Sequence, residues 1–237
     1  MSELVSYSLE DRIATLTMDD GKVNAFSVAM LRALHEAFDR AEHDNAVVVL
    51  TGRDGFFSAG FDLKVFAGGD VERILEMLQL GATLAERVLG FRTPVLLACS
   101  GHTVAAGAFL ALAADVRLGA EGDFRVGLNE VQIGLTVPRF VIELARQRLH
   151  PGRFAQAVLT GAMYEPAQAV EVGYFDRVVP AGELHTAALD EAARLSELDQ
   201  VAHAATKLRA RSNALTAVRT AIESEMTLEG LGATQAS

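Results

Sequence analysis

The stretch that most limits what this chain can become is Val47 to Lys64, VVVLTGRDGFFSAGFDLK. It begins with three valines and a leucine, Val47 to Leu50, in an unbroken apolar run. A strand wetted on one face alternates apolar with polar residues. A continuous run is the pattern of a strand covered on both faces, as in a parallel sheet packed between helices. Thr51-Gly52-Arg53-Asp54-Gly55 then breaks the run. An apolar loop containing Gly60 follows, and Phe61-Asp62-Leu63-Lys64 reads as the opening of a short helix. Such a passage presents free backbone N–H groups, suited to an anion or to the negative charge developing on a reacting carbonyl. An ordinary strand–loop–helix connection has the same local pattern, so the stretch alone leaves both readings open.

The rest of the chain supplies partners for that strand. Val5 to Leu9 and Arg12 to Met18 alternate around Glu10-Asp11 and predict a β-hairpin. Ser27 is a candidate N-cap for a helix whose apolar face carries Leu31, Leu34, Phe38 and Ala41. Val71 to Gly90 has a long helical pattern, and Pro94 to Ala98 is a second buried strand. Ala108 to Ala113 predicts a helix, and Ala114 to Leu118 and Phe124 to Val126 predict short strands. From Pro138 onward the helix candidates are Arg139 to Leu149, Arg153 to Thr160, Pro166 to Val172, Leu184 to Leu198 and Val201 to Met226, with a short strand before Pro180. Glu229 to Ser237 reads as a frayed end. Strands alternating with helices make this an α/β fold. The expected organisation is a core over 1–197 and a C-terminal helical segment over 198–237, packed on the core or on a neighbouring subunit.

Charge and composition narrow the function. A net charge of −10 disfavours non-specific binding to nucleic acid or anionic membrane. No segment approaches the roughly 18 apolar residues of a membrane span. The first residues, MSELVSYSLEDR, lack the basic-then-apolar order of a signal peptide, so a cytoplasmic location is expected. The single cysteine, Cys99, ends a strand-like apolar run and is expected to be a buried, inert thiol. Only Lys22, Lys64 and Lys207 among the 21 basic residues are lysines.

A second turn resembles the first. Ala105-Ala106-Gly107 also follows a strand, is made of small residues and leads into a helix, as does Ser58-Ala59-Gly60-Phe61. If the two converge, they can grip one carbonyl oxygen from both sides; otherwise they are unrelated packing turns. Glu130 stands among Val126, Leu128, Val131 and Ile133. A carboxyl in apolar company has a raised pKa, which suits a base near neutrality; a loop glutamate facing water is the alternative. Phosphate loops are excluded, because Phe61-Asp62 stands where Lys-Ser/Thr is required after Gly55 to Gly60. A G-x-S-x-G elbow at Ser58 is excluded by Phe56. No two histidines have metal-ligand spacing, and no metal is expected.

These residues carry a family resemblance. FFSAGFDLK is similar to the F-S-A-G-x-D-L signature of the crotonase (enoyl-CoA hydratase/isomerase) superfamily, and KVNAF resembles its K-x-N-A-hydrophobic loop. SGHTVAAGAFLALAADVRL, VGLNEVQIGLTVP and GYFDRVVP resemble, in order, three further segments of that family. The resemblance implies a crotonase-type spiral of ββα units with C-terminal helices, assembled as a trimer or dimer of trimers. It implies an acyl-CoA thioester as substrate and no separate cofactor, since coenzyme A is part of the substrate. The backbone N–H groups of Phe61 and Ala106 would form an oxyanion hole. Lys22, Ala25, Ala59, Phe61, Asp62, Lys64 and Lys207 would meet the CoA moiety, the lysines near its phosphates and Ala59 near its adenine.

Two departures from the family pattern bear on the reaction. Ala106 stands where the family usually has glycine. Of the two catalytic glutamates of hydratases, the first falls on Phe109 and the second on Glu130. Adding water is work that two carboxylates share, whereas moving a double bond needs one base. With GLNE and an apolar residue at the first position, the chain is most like Δ3,Δ2-enoyl-CoA isomerases, and Glu130 is the expected proton shuttle. The alternatives are a hydratase, another CoA-thioester reaction, or a non-catalytic acyl-CoA-binding homologue.

Overall fold

The computed structural model describes residues 4–230. The hairpin forms as β1 (Val5–Glu10) and β2 (Ile13–Met18), paired antiparallel. Helix α1 (Val28–His43) is capped by Ser27, whose Oγ accepts from the Met30 N–H at 3.2 Å. Strands β3 (Val47–Thr51), β5 (Val95–Cys99), β7 (Val116–Ala120) and β9 (Arg177–Val179) extend the sheet in the order β1-β2-β3-β5-β7-β9, parallel from β2 onward. The valine run of β3 is apolar throughout because both faces are covered. Val48 and Leu50 join the core beneath α1, α3 (Val71–Gly90) and α4 (Ala106–Ala113), while Val47 and Val49 meet Leu184, Ala188, Ala192 and Leu195 of α8 (Leu184–Ser196). Cys99 is fully buried, and burial pushes its thiol up to about 12, beyond reactivity at neutral pH.

A second, three-stranded parallel sheet stands beside the first: β4 (Gly55–Ser58), β6 (Gly101–Val104) and β8 (Val126–Gly127). Its first two strands correct the expectation of a loop before Gly60 and a bare turn after Ser100. Strands of two to four residues rich in Gly, Ser, His and Thr show no period-two alternation to read. Each is the continuation of a main-sheet strand after a bend, so the chain turns as β–β–α units. Helix α2 (Leu63–Ala67) begins where the 47–64 stretch predicted, with the Asp62 carboxylate accepting from the Lys64 N–H at 3.0 Å.

Helices α5 (Arg139–Arg148), α6 (Pro151–Leu159) and α7 (Pro166–Val172) follow β8. The last long helix, α9 (Gln200–Glu225), packs on α3 and α5, and its Leu215, Val218 and Ala221 belong to the main core. Of the expected frayed end, 231–237 lies outside the described residues, while Leu228, Glu229 and Gly230 are helical. No described helix is long and apolar enough to cross a membrane.

Candidate active site

The first turn is held by a buried asparagine. Asn24, with φ 51°, donates from Nδ2 to the carbonyls of Met18 (3.0 Å), Phe56 (3.2 Å) and Phe57 (3.2 Å). Ser58 Oγ donates to the Asn24 carbonyl at 2.7 Å and accepts from the Gly60 N–H at 3.1 Å. The Phe26 N–H donates to the Gly60 carbonyl at 2.8 Å, and the Ala59 N–H to Val23 O at 3.0 Å. These bonds use up the groups on either side of Phe61. The Phe61 N–H itself has no protein acceptor among the described residues. Its ring lodges against Gly81 of α3, where an added Cβ would lie 2.6 Å from two ring carbons.

The second turn is strained. Ala105 has φ 49° and ψ −114°, a conformation an L-residue adopts only under constraint. Its N–H is tied to Gly127 O at 2.9 Å, and it turns the chain directly into α4. Ala106 is the first residue of that helix, so its N–H has no partner within it. The structure brings the two turns together. A Cβ on Gly60, which has φ 95°, would lie 2.9 Å from Ala105 Cβ and 3.3 Å from Ala106 N, and a Cβ on Gly107 would lie 2.9 Å from both Ser58 Cβ and Ser58 O. Glycine at both places is what allows the backbones to approach.

Glu130 enters from the end of β8, three residues after the Gly127 carbonyl that holds Ala105. It starts a single 3-10 turn (Glu130–Ile133) and is buried. Burial pushes its carboxyl up to about 7, slightly relieved by its own backbone N–H. Its Oε2 has no hydrogen-bond partner. Phe109 lies against the ring of Phe61 (centroids 5.8 Å apart) and of Phe140 (5.2 Å). The wall there is aromatic and has no proton to give.

Lys22 and Lys64 are exposed, and neither ammonium has a protein partner among the described residues. The loop bearing Lys22 is ordered by Asp20. Burial would raise the Asp20 pKa, but the N–H groups of Asn24, Lys22 and Ala25, with Arg53 nearby, hold it below the usual carboxylate range. Ala25 is half-buried, Ala59 is exposed and Asp62 caps α2.

Lys207 is placed differently from the other two lysines. Its ammonium is buried and donates to Asp115 Oδ2 at 2.6 Å, with Arg211 Nη2 3.1 Å from Asp115 Oδ1. Burial, more than offsetting the carboxylate's attraction, lowers its pKa to about 8. Arg211 also donates to Leu89 O (2.9 Å) and Ala114 O (3.1 Å), and Arg148 donates to Ala114 O and to Asp115 O. These cations close the C-terminal ends of α3 and α4, where free carbonyls and the helix dipoles favour positive charge. Within this chain Lys207 is a structural staple committed to Asp115, not a free cation beside a ligand. Sequence reasoning also missed two buried tyrosines, Tyr164 and Tyr174, near the Glu130 segment; Tyr174 stood in a stretch read as a short strand, and Tyr164 between two predicted helices.

The family model for enoyl-CoA hydratase/isomerase matches residues 8–235. The chain belongs to the enoyl-CoA hydratase/isomerase family. A solved structure from Mycobacterium tuberculosis described as a probable enoyl-CoA hydratase superposes with a TM-score of 0.94 at 39% identity, covering 98% of this chain and 99% of that one. Another, described as the apo form of the M. tuberculosis enoyl-CoA isomerase, superposes with a TM-score of 0.90 at 40% identity over 94% of this chain and 97% of that one. Enoyl-CoA delta isomerase 1 of rat mitochondria is 29% identical over 189 residues, 78% of this chain and 65% of that protein's length. The two structures are of one M. tuberculosis protein, which thus carries both reaction names. A Thermus thermophilus relative described as a putative enoyl-CoA hydratase is 34% identical over 220 residues, 90% of this chain and 80% of that protein's length, so the overall fold does not distinguish the two reactions.

Proposed function

We propose that the protein is a Δ3,Δ2-enoyl-CoA isomerase. The observation that carries this reading is one buried carboxyl, Glu130, with a pKa of about 7 and an unpartnered oxygen, while Phe109, packed on Phe61, offers no second acid. The thioester oxygen would accept from the Phe61 and Ala106 N–H groups. Glu130 would take a proton from C2 of a 3-enoyl-CoA, the electrons moving into the dienolate held by those two donors. The same carboxyl would then return the proton at C4, leaving the double bond at C2. A carboxylate pinned in an ion pair could not trade protons in this way. One donor of such a hole is worth about 2.7–4 kcal/mol, and a positioned base about 10²–10⁴-fold. Lys22 and Lys64, as free cations, would meet the CoA phosphates of a substrate that the net charge alone would repel.

Hydration is the competing reading, favoured by the description of the T. thermophilus relative. A panel of 3-enoyl- and 2-enoyl-CoA thioesters decides between them. Isomerisation that falls at least ~100-fold in Glu130→Gln, with little addition of water to crotonyl-CoA, is the expected result. Efficient hydration, or a fully active Glu130→Gln, would sink the proposal.

A further inference from the structure

Behind Glu130 lies a group of buried polar atoms that the reaction as drawn does not use. Tyr174 is fully buried and Tyr164 nearly so, their ring centroids 6.1 Å apart. Among the described residues, neither hydroxyl proton has an acceptor and Glu130 Oε2 has no donor; only the Leu128 backbone N–H approaches the Tyr174 oxygen. The backbone places all three in one region. Tyr164 exchanges main-chain hydrogen bonds with Val126, 2.9 Å in each direction. A Cβ on Gly127 would lie 2.7 Å from Ala162 O, and one on Gly161 would lie 3.5 Å from Leu128 O. The 161–164 segment therefore runs along the 126–132 segment that bears Glu130, and Tyr174 lies beside Tyr164 within reach of the Leu128 backbone.

Phenylalanine would fill these two positions equally well without burying a hydroxyl. A buried hydroxyl proton with no acceptor is costly, and the same segments carry a carboxyl oxygen with no donor. Burial first, then the nearby Tyr164 and Glu130, pushes the Tyr174 pKa far up, with the Leu128 backbone opposing it; burial likewise raises Tyr164, against the pull of Arg153 on α6. Both phenols thus keep their protons throughout the working range. These two tyrosines, flanking α7, with Arg153 beyond them, are the titratable groups facing Glu130 from the packed elements; no charged side chain contributes to the shift of Glu130 itself.

Building on the isomerase reading, we propose that Tyr174 is a positioning residue for Glu130: its hydroxyl, directly or through one water, donates to Oε2, Tyr164 donates to Tyr174 in turn, and Oε1 is left to face the substrate. A donor to the carboxylate favours the charged, base-competent form. The pH profile of kcat/KM for 3-enoyl-CoA isomerisation tests this. In wild type the acid limb falls near pH 7. In Tyr174→Phe the limb should move up by about one pH unit, so that kcat/KM drops about tenfold at pH 6 and recovers toward wild type at high pH. Tyr164→Phe should move it in the same direction by less. A hydroxyl with a purely structural role would change the melting temperature and leave the limb in place. An unmoved limb in both variants overturns the proposal, whatever the melting temperatures. If wild type isomerises but Glu130→Gln is equally active, the base assignment itself has failed and the tyrosines fall with it.

Discussion

Glu130 should weaken the fold when it ionises, and the size of the effect follows from its burial. A glutamate in the unfolded chain titrates near the ordinary value of 4.5, whereas in the folded protein burial moves it to about 7. Between these two values the folded state holds a proton that the unfolded state has lost, so stability falls as pH rises through the window. Below pH 4.5 both states are protonated and above pH 7 both are ionised, and the contribution is flat. A shift of that size corresponds to roughly 3 kcal/mol. Glu130→Gln removes the titration. The stability difference, variant minus wild type, should therefore increase by roughly 3 kcal/mol between pH 4.5 and pH 8. The buried amide carries its own cost, but that cost does not depend on pH and cancels from the comparison. Urea unfolding of both proteins at fixed concentration across that range measures it. The variant should gain relative stability at neutral pH under the conditions where it loses activity. A difference that stays flat with pH would mean that Glu130 is solvated, and the argument for a base poised near neutrality would go with it.

The convergence of the two turns can be tested at Gly107. In Gly107→Ala the new methyl would sit 2.9 Å from Ser58 Cβ and O, so the turns must part. We expect kcat to fall ~100-fold, as when one donor of an oxyanion hole is lost, with stability reduced by only ~1–3 kcal/mol; a stable variant with normal kcat would refute the pairing of Phe61 and Ala106. The lysines should separate cleanly. Lys22→Ala and Lys64→Ala should each raise KM for the CoA thioester several-fold, less so at high salt, with unchanged stability. Lys207→Met should leave KM alone but destabilise the fold by roughly 3 kcal/mol, because Asp115 loses its ammonium partner in a buried site; the opposite pattern would return Lys207 to the binding site.

What could be read from the sequence depended on how far each signal extends along the chain. The valine run of β3 and the 20-residue pattern of α3 are long and periodic, and the structure has them where the pattern puts them. Ser27 and Asp62 carry capping chemistry in their own side chains and were equally legible. The second sheet was not, because its strands are defined by neighbours far away in the chain. The buried setting of Lys207 was hidden for a related reason. The buried side of α9 includes Lys207 and Arg211, so its apolar pattern does not mark the face that packs. The need that makes those cations structural, the open carbonyl ends of α3 and α4, lies about a hundred residues upstream. Asn24 was visible within a motif, but its three carbonyl acceptors were not.

The site's rigidity has a source that the turns alone do not supply. Phe61 offers its N–H to the site while its ring is wedged against Gly81 and Phe109. Its position is therefore set by the core beneath α3 and α4 as well as by the hydrogen-bonded turn that carries it. Ala105 holds a conformation that costs on the order of 1–3 kcal/mol. It is kept there by the Gly127 carbonyl on one side and by Gly60 on the other. On the proposed function, two donors preset in this way need not reorganise when charge appears between them, which is the condition under which such donors accelerate a reaction most. The Phe109 ring touches both Phe61 and Phe140. It is part of what holds Phe61 in place, and it offers no proton. That is the arrangement expected where one carboxyl does all the proton transfer and the oxygen of the intermediate is bound by a fixed frame.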